Sequence, residues 1–66
     1  MTLTINGEAR SFAGLTDVAA LVAALGLDAR KVAVERNLEI VPRSAYVRTP
    51  LADGDRIEIV SFIGGG

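Results

Sequence analysis

Val18, Leu21, Val22 and Leu25 recur at spacings of three and four residues, forming one apolar helical stripe in a chain of 66 residues. A stripe of that kind needs a surface to cover. No second stripe offers itself as a partner helix, so the remainder of the chain must supply a sheet beneath it. Ala19, Ala20, Ala23 and Ala24 fill the intervening positions with strong helix formers. Thr16 is the expected N-cap, and Asp17 then faces the positive end of the helix. Gly26 ends it, because glycine enters the left-handed conformation without a Cβ penalty, and Leu27 is placed to fold back over the last turn.

The flanking segments read as strands. Thr2 to Ile5 alternates polar and apolar residues, which puts Leu3 and Ile5 on one face. Asn6-Gly7 follows, a dipeptide suited to a tight hairpin turn, and Glu8 to Phe12 forms the return strand. A strict two-residue loop sets Glu8 opposite Ile5 on the core side. A loop one residue longer sets Ala9 and Ser11 opposite Ile5 and Leu3. The second register is favoured, since a lone buried carboxylate is expensive. After the helix, Val32 to Val34 forms a short strand, and Glu35-Arg36-Asn37 leads out of it. Ile40-Val41 forms another extended piece, halted by Pro42, which cannot donate a ladder hydrogen bond. Arg43 to Pro50 has no clear period, and either Tyr46 or Val47 is expected to reach the core. Ala52 to Asp55 is a turn by composition. Arg56 to Ser61 is the last strand, with Ile57 and Ile59 inward.

Composition sets the scale and excludes several functions. Half the residues are hydrophobic, which suits a folded core. The net charge is -1, and Arg10, Arg30, Lys31, Arg36, Arg43, Arg48 and Arg56 are scattered among acids. Nucleic acid is therefore not the expected partner, since phosphate binding needs gathered cations. No run approaches the roughly 20 apolar residues that cross a bilayer, so no membrane is expected, and the N-terminus does not read as a secretory signal. A cytoplasmic setting is the default. Cysteine and histidine are absent, which removes thiol nucleophiles and the commonest metal ligands. Asp53 and Asp55 flank Gly54, but two carboxylates are too few for a cation site and suit a turn, so no metal is expected.

The end of the sequence, Val60-Ser61-Phe62-Ile63-Gly64-Gly65-Gly66, runs from a strand directly into three glycines. Glycine loses more entropy on ordering than other residues, so residues 64–66 are expected to form a flexible tail after a domain spanning 1–63. Extended, such a tail reaches on the order of 10 Å at about 3.3 Å per residue. It carries no Cβ to block a narrow tunnel, the shape needed to deliver a terminal carboxylate into another protein's active site. The same run also fits an ordinary frayed terminus. With Ile57 and Ile59 inward, Val60 and Phe62 face outward and Ile63 follows, giving an apolar patch suited to docking. Arg56 and Glu58 are expected at its polar rim. Arg43, following Pro42, reads as a surface turn or as a guanidinium that pairs with a partner's carboxylate.

The Asn6-Gly7 hairpin, the helix from Thr16 to Gly26, the segment Val34 to Arg43, the turn Leu51 to Asp55 and the end Phe62 to Gly66 together resemble the ThiS family, the ubiquitin-like sulfur carriers of thiamine biosynthesis. Leu38 departs from the pattern, standing where a glycine or small turn residue is expected. The resemblance implies an α+β fold of the β-grasp type, a mixed sheet under one main helix with the last strand central beside the first. It also implies that an E1-like adenylyltransferase, using ATP and magnesium, adenylates the Gly66 carboxylate. A sulfur donor, such as a cysteine desulfurase or other persulfide protein, then leaves a thiocarboxylate for thiazole synthase. The carrier itself would bind no cofactor and would not be an enzyme. Related expectations are the small subunit of molybdopterin synthase, a carrier for another thiolation pathway, or a ubiquitin-like modifier or binding module.

Overall fold

A computed structural model describes residues 1–62. Five strands and one α-helix make up these residues: β1 (Thr2–Ile5), β2 (Glu8–Ser11), α1 (Val18–Ala24), β3 (Val32–Arg36), β4 (Glu39–Val41) and β5 (Arg56–Ser61). Short 3₁₀ turns cover Ala29–Lys31 and Arg43–Arg48. The sheet order is β2-β1-β5-β3-β4. β5 runs parallel to β1 and antiparallel to β3, so the sheet is mixed, with the last strand at its centre. This is the β-grasp arrangement that the family resemblance implied; the hydrophobic pattern alone would have allowed other strand orders.

The helix lies where its stripe requires. Val18, Leu21 and Val22 are buried together with Leu3, Ile5, Val32, Val34, Val41 and Ile57 from the sheet. Each such side chain contributes about 1.5–3 kcal/mol when withdrawn from water. Leu25 is only half-buried at the helix end. The N-cap is Asp17 rather than Thr16: the Asp17 carboxylate accepts the Ala20 N–H at 2.8 Å. Thr16 is instead committed to the loop, where its carbonyl accepts the Leu51 N–H at 3.1 Å. At the other end Gly26 has φ +73°. The Gly26 N–H donates to the Ala23 carbonyl and Leu27 N–H to the Val22 carbonyl, which closes the helix and turns the chain back.

The first hairpin takes the register that was not favoured. Ile5 pairs with Glu8, and Leu3 with Arg10, across a two-residue turn in which Asn6 and Gly7 have φ +50° and +84°. Glu8 and Arg10 therefore lie on the helix-bearing face, yet all of β2 is exposed. The helix does not extend over this edge strand, so no desolvation cost arises, and the Arg10 guanidinium sits 5.5 Å from the Phe12 ring centroid. β3 also runs further than expected, through Glu35 and Arg36, because β4 and β5 pair with both residues.

Of the two candidates in the irregular segment, Tyr46 is buried and Val47 is exposed. The turn at residues 52–55 is held by its own acids. Asp53 accepts the Thr2 N–H at 2.7 Å. Asp55 accepts from Arg36 Nε at 2.8 Å, Asn37 Nδ2 at 2.9 Å and the Ala52 N–H at 2.8 Å. Both carboxylates thus serve the protein's own donors.

Candidate functional site

Strand alternation along β5 sorts its side chains onto two faces. Ile57 is fully buried and Ile59 half-buried under the helix, while Val60 and Phe62 stand 63% and 62% exposed on the opposite side. Val60 lies opposite Ala33 of β3. Ile40 of β4, 67% exposed, lies opposite Glu35 and adds to this apolar face. Sequence reasoning did not single out Ile40, because the neighbouring Val41 is buried and the pair reads as one apolar run. The alternation of a three-residue strand was the only signal available.

Arg56 and Glu58 share this outer face with Val60. Arg56 lies beside Thr4 of β1, and Glu58 lies directly opposite Glu35. Two carboxylates at opposed positions repel one another, so this point of the sheet carries a local negative charge.

Phe62 remains tied to the sheet, its N–H donating to the Lys31 carbonyl at 2.8 Å. Its side chain borders a shallow groove of about 340 Å³ shared with Arg30, Val32, Pro42, Arg43 and Tyr46. Arg30 is held by Asp28 at 2.9 Å, while Arg43 makes no ion pair within the described residues. The arginine pairing holds the Asp28 carboxyl down at about 2. Burial pushes the Tyr46 hydroxyl up, against the pull of nearby Arg43, and that hydroxyl reaches the Val32 carbonyl at 3.4 Å.

The structure thus brings Phe62 and Arg43 to one groove and places Val60, Arg56 and Glu58 on one sheet face. Ile63, Gly64, Gly65 and Gly66, the rest of the anticipated site, lie outside the described residues. Leu38 has φ +71° and is 76% exposed at the tip of the β3–β4 turn, beside Asn37 at φ +51°. Among the described residues no cluster of three or more acids could hold a metal ion, and no helix is long and apolar enough to cross a membrane.

Comparison with known proteins gives a consistent result. The ThiS family signature matches residues 3–66. A thiazole synthase of Paramagnetospirillum magneticum is 61% identical over all 66 residues, and the chain spans only 20% of that protein's length. The sulfur carrier protein ThiS of Bacillus subtilis is 48% identical over 46 residues, 70% of each chain. The crystal structure of the thiamine biosynthesis protein ThiS from Geobacter metallireducens superposes with a TM-score of 0.85 at 39% identity, covering both chains completely.

Proposed function

Because the chain belongs to the ThiS family, the ubiquitin-like sulfur carriers of thiamine biosynthesis, we propose that its working group is the carboxylate of Gly66. A carboxylate is a poor electrophile, and the chain has no cysteine or histidine with which to activate it. An E1-like adenylyltransferase supplies the activation: the carboxylate displaces pyrophosphate from ATP and becomes an acyl adenylate. A persulfide sulfur from a donor protein then displaces AMP, and thiol cleavage of the resulting acyl disulfide leaves the thiocarboxylate. Thiazole synthase receives that sulfur. The carrier is not an enzyme; its part is to place a tethered group in the partner's site, where orientation replaces a bimolecular encounter.

The observation that carries this reading is the build of β5. The strand ends in an exposed apolar face at Val60 and Phe62 and runs at once into the glycine end. A partner that covers this face draws the glycines into its own pocket. Thiazole synthase is favoured as the recipient because a thiazole synthase polypeptide contains a segment 61% identical to this chain. Arg56, Glu58 and Arg43 supply the polar contacts around the docked face.

Intact-mass measurement tests the proposal. After incubation with ATP, magnesium, the adenylyltransferase and a sulfur source, one oxygen of Gly66 should be replaced by sulfur. Deleting Gly66 should abolish the change, and full sulfur delivery by the shortened chain would refute the reading.

A further inference from the structure

β5 meets β1 through alternate residues. The Thr4 N–H donates to the Asp55 carbonyl at 3.0 Å, and the Asn6 N–H to the Ile57 carbonyl at 2.9 Å. At Asn6-Gly7 the first hairpin turns away, and β1 has no further backbone to offer. The Asn6 side chain takes its place: Oδ1 accepts the Ile59 N–H at 2.8 Å, and Nδ2 donates to the Ile59 carbonyl at 3.1 Å. The next residue whose N–H and C=O point toward the β1 side is Ser61. It lies opposite Val32 at a position where the β3 ladder uses the bonds of Val60 and Phe62 instead. Among the described residues no hydrogen bond reaches the Ser61 backbone from the β1 side.

This open edge borders a second groove, about 290 Å³, lined by Ile5, Asn6, Arg10, Leu25, Leu27 and Ile59 together with Ser61. It lies on the helix side of β5, away from the Val60 face. Unpaired strand edges recruit extended segments, with backbone bonds giving affinity and alternate side chains filling adjacent pockets.

Resting on the carrier reading above, we infer that this edge is a strand-addition site for an extended segment of thiazole synthase. The segment's backbone pairs with the Ser61 N–H and C=O. Its apolar side chain enters between Leu25, Leu27 and Ile59, and an acidic side chain meets Arg10. The synthase is the fitting occupant because the edge opens immediately before the glycine end. A segment seated there binds at Ser61, three residues before Gly64 in the sequence. Asn6 has a definite part in this arrangement, closing the ladder at Ile59 so that pairing resumes only at Ser61.

Two substitutions and one amide measurement test the inference with purified thiazole synthase. Ser61→Pro removes an N–H that no bond among the described residues uses, while Ser61→Ala removes only the hydroxyl. Ser61→Ala should bind as the original chain does, and Ser61→Pro about tenfold more weakly, the loss expected for one backbone hydrogen bond. Equal binding by the two variants overturns the inference. In the unmodified chain, the Ser61 amide should exchange rapidly when free and slow markedly in the complex, with Phe62 protected in both states. This measurement decides the matter if Ser61→Pro does not fold. A complex in which Ser61 stays unprotected overturns the inference alone, whereas failure of the unmodified chain to bind the synthase strikes the carrier reading as well. Protection that rises with carrier concentration alone assigns the edge to a second copy and also overturns the inference.

Discussion

Asp55 is buried, and burial by itself would raise its pKa. Hydrogen bonds from Asn37, the Ala52 N–H and Arg36 outweigh that effect and hold it below the usual carboxylate range. The group ties three segments together: the end of β3, the β3–β4 turn and the loop before β5. Asp55→Ala should cost about 2–3 kcal/mol in urea unfolding, since it strands a half-buried guanidinium and two further donors. A lowered folded pKa stabilises the protein above the unfolded value of about 3.9. That contribution disappears as pH falls through the lowered folded value, so acid titration of stability should show a decline below about pH 4 that the alanine variant lacks. Leu38 presents the opposite situation, a large exposed residue at φ +71°. The left-handed conformation costs an L-residue about 1–2 kcal/mol, and glycine returns part of this as extra unfolded-state entropy. Leu38→Gly should therefore raise stability by about 0.5–1 kcal/mol, measured by thermal melting. The departure at Leu38 was visible in the sequence; the three bonds to Asp55 were not, because Arg36 and Asp55 meet only when β3 and β5 are neighbours.

At the scale of elements, β5 serves both faces of the sheet and two neighbouring strands in six residues. Its inner face completes the core, its outer face carries Val60, and its opposite edges pair with β1 and β3. Glu58 opposite Glu35 is an internal repulsion on this strand. Glu58→Lys should turn the repulsion into an attraction and raise stability by about 0.2–1 kcal/mol. The same change should weaken binding to the adenylyltransferase if the outer face docks there; calorimetric titration against the unmodified chain checks both signs. The helix was legible almost residue by residue, because its signals are local: a stripe at helical spacing, alanines between, and a glycine at the end. Its cap was misplaced by one residue because Thr16 and Asp17 are both good caps, and the loop at Pro50-Leu51 decides between them. The β2 register failed for a related reason. Alternation reports which residues share a face, whereas burial depends on how far the helix extends across the sheet.

For the whole molecule, small size makes every core contact count. A domain of this length commands only about 3–5 kcal/mol of net stability. Leu21 is fully buried, and Leu21→Ala should cost about 2–5 kcal/mol, enough to leave much of the protein unfolded at room temperature. Far-UV circular dichroism should show the helical signal largely lost. What the amino-acid order determined unaided were the helix, the turns at Asn6-Gly7 and residues 52–55, the inward isoleucines of β5 and the outward Val60 and Phe62. All of these depend on side-chain periodicity or on the backbone preferences of a few adjacent residues. Tertiary structure alone decided the register of β2, the depth of Asp55, the exposure of Ile40 and the point at which Asn6 takes over from β1. Each of those turns on which distant segments become neighbours, and a hydrophobic pattern is equally satisfied by several such arrangements until the chain closes on its core.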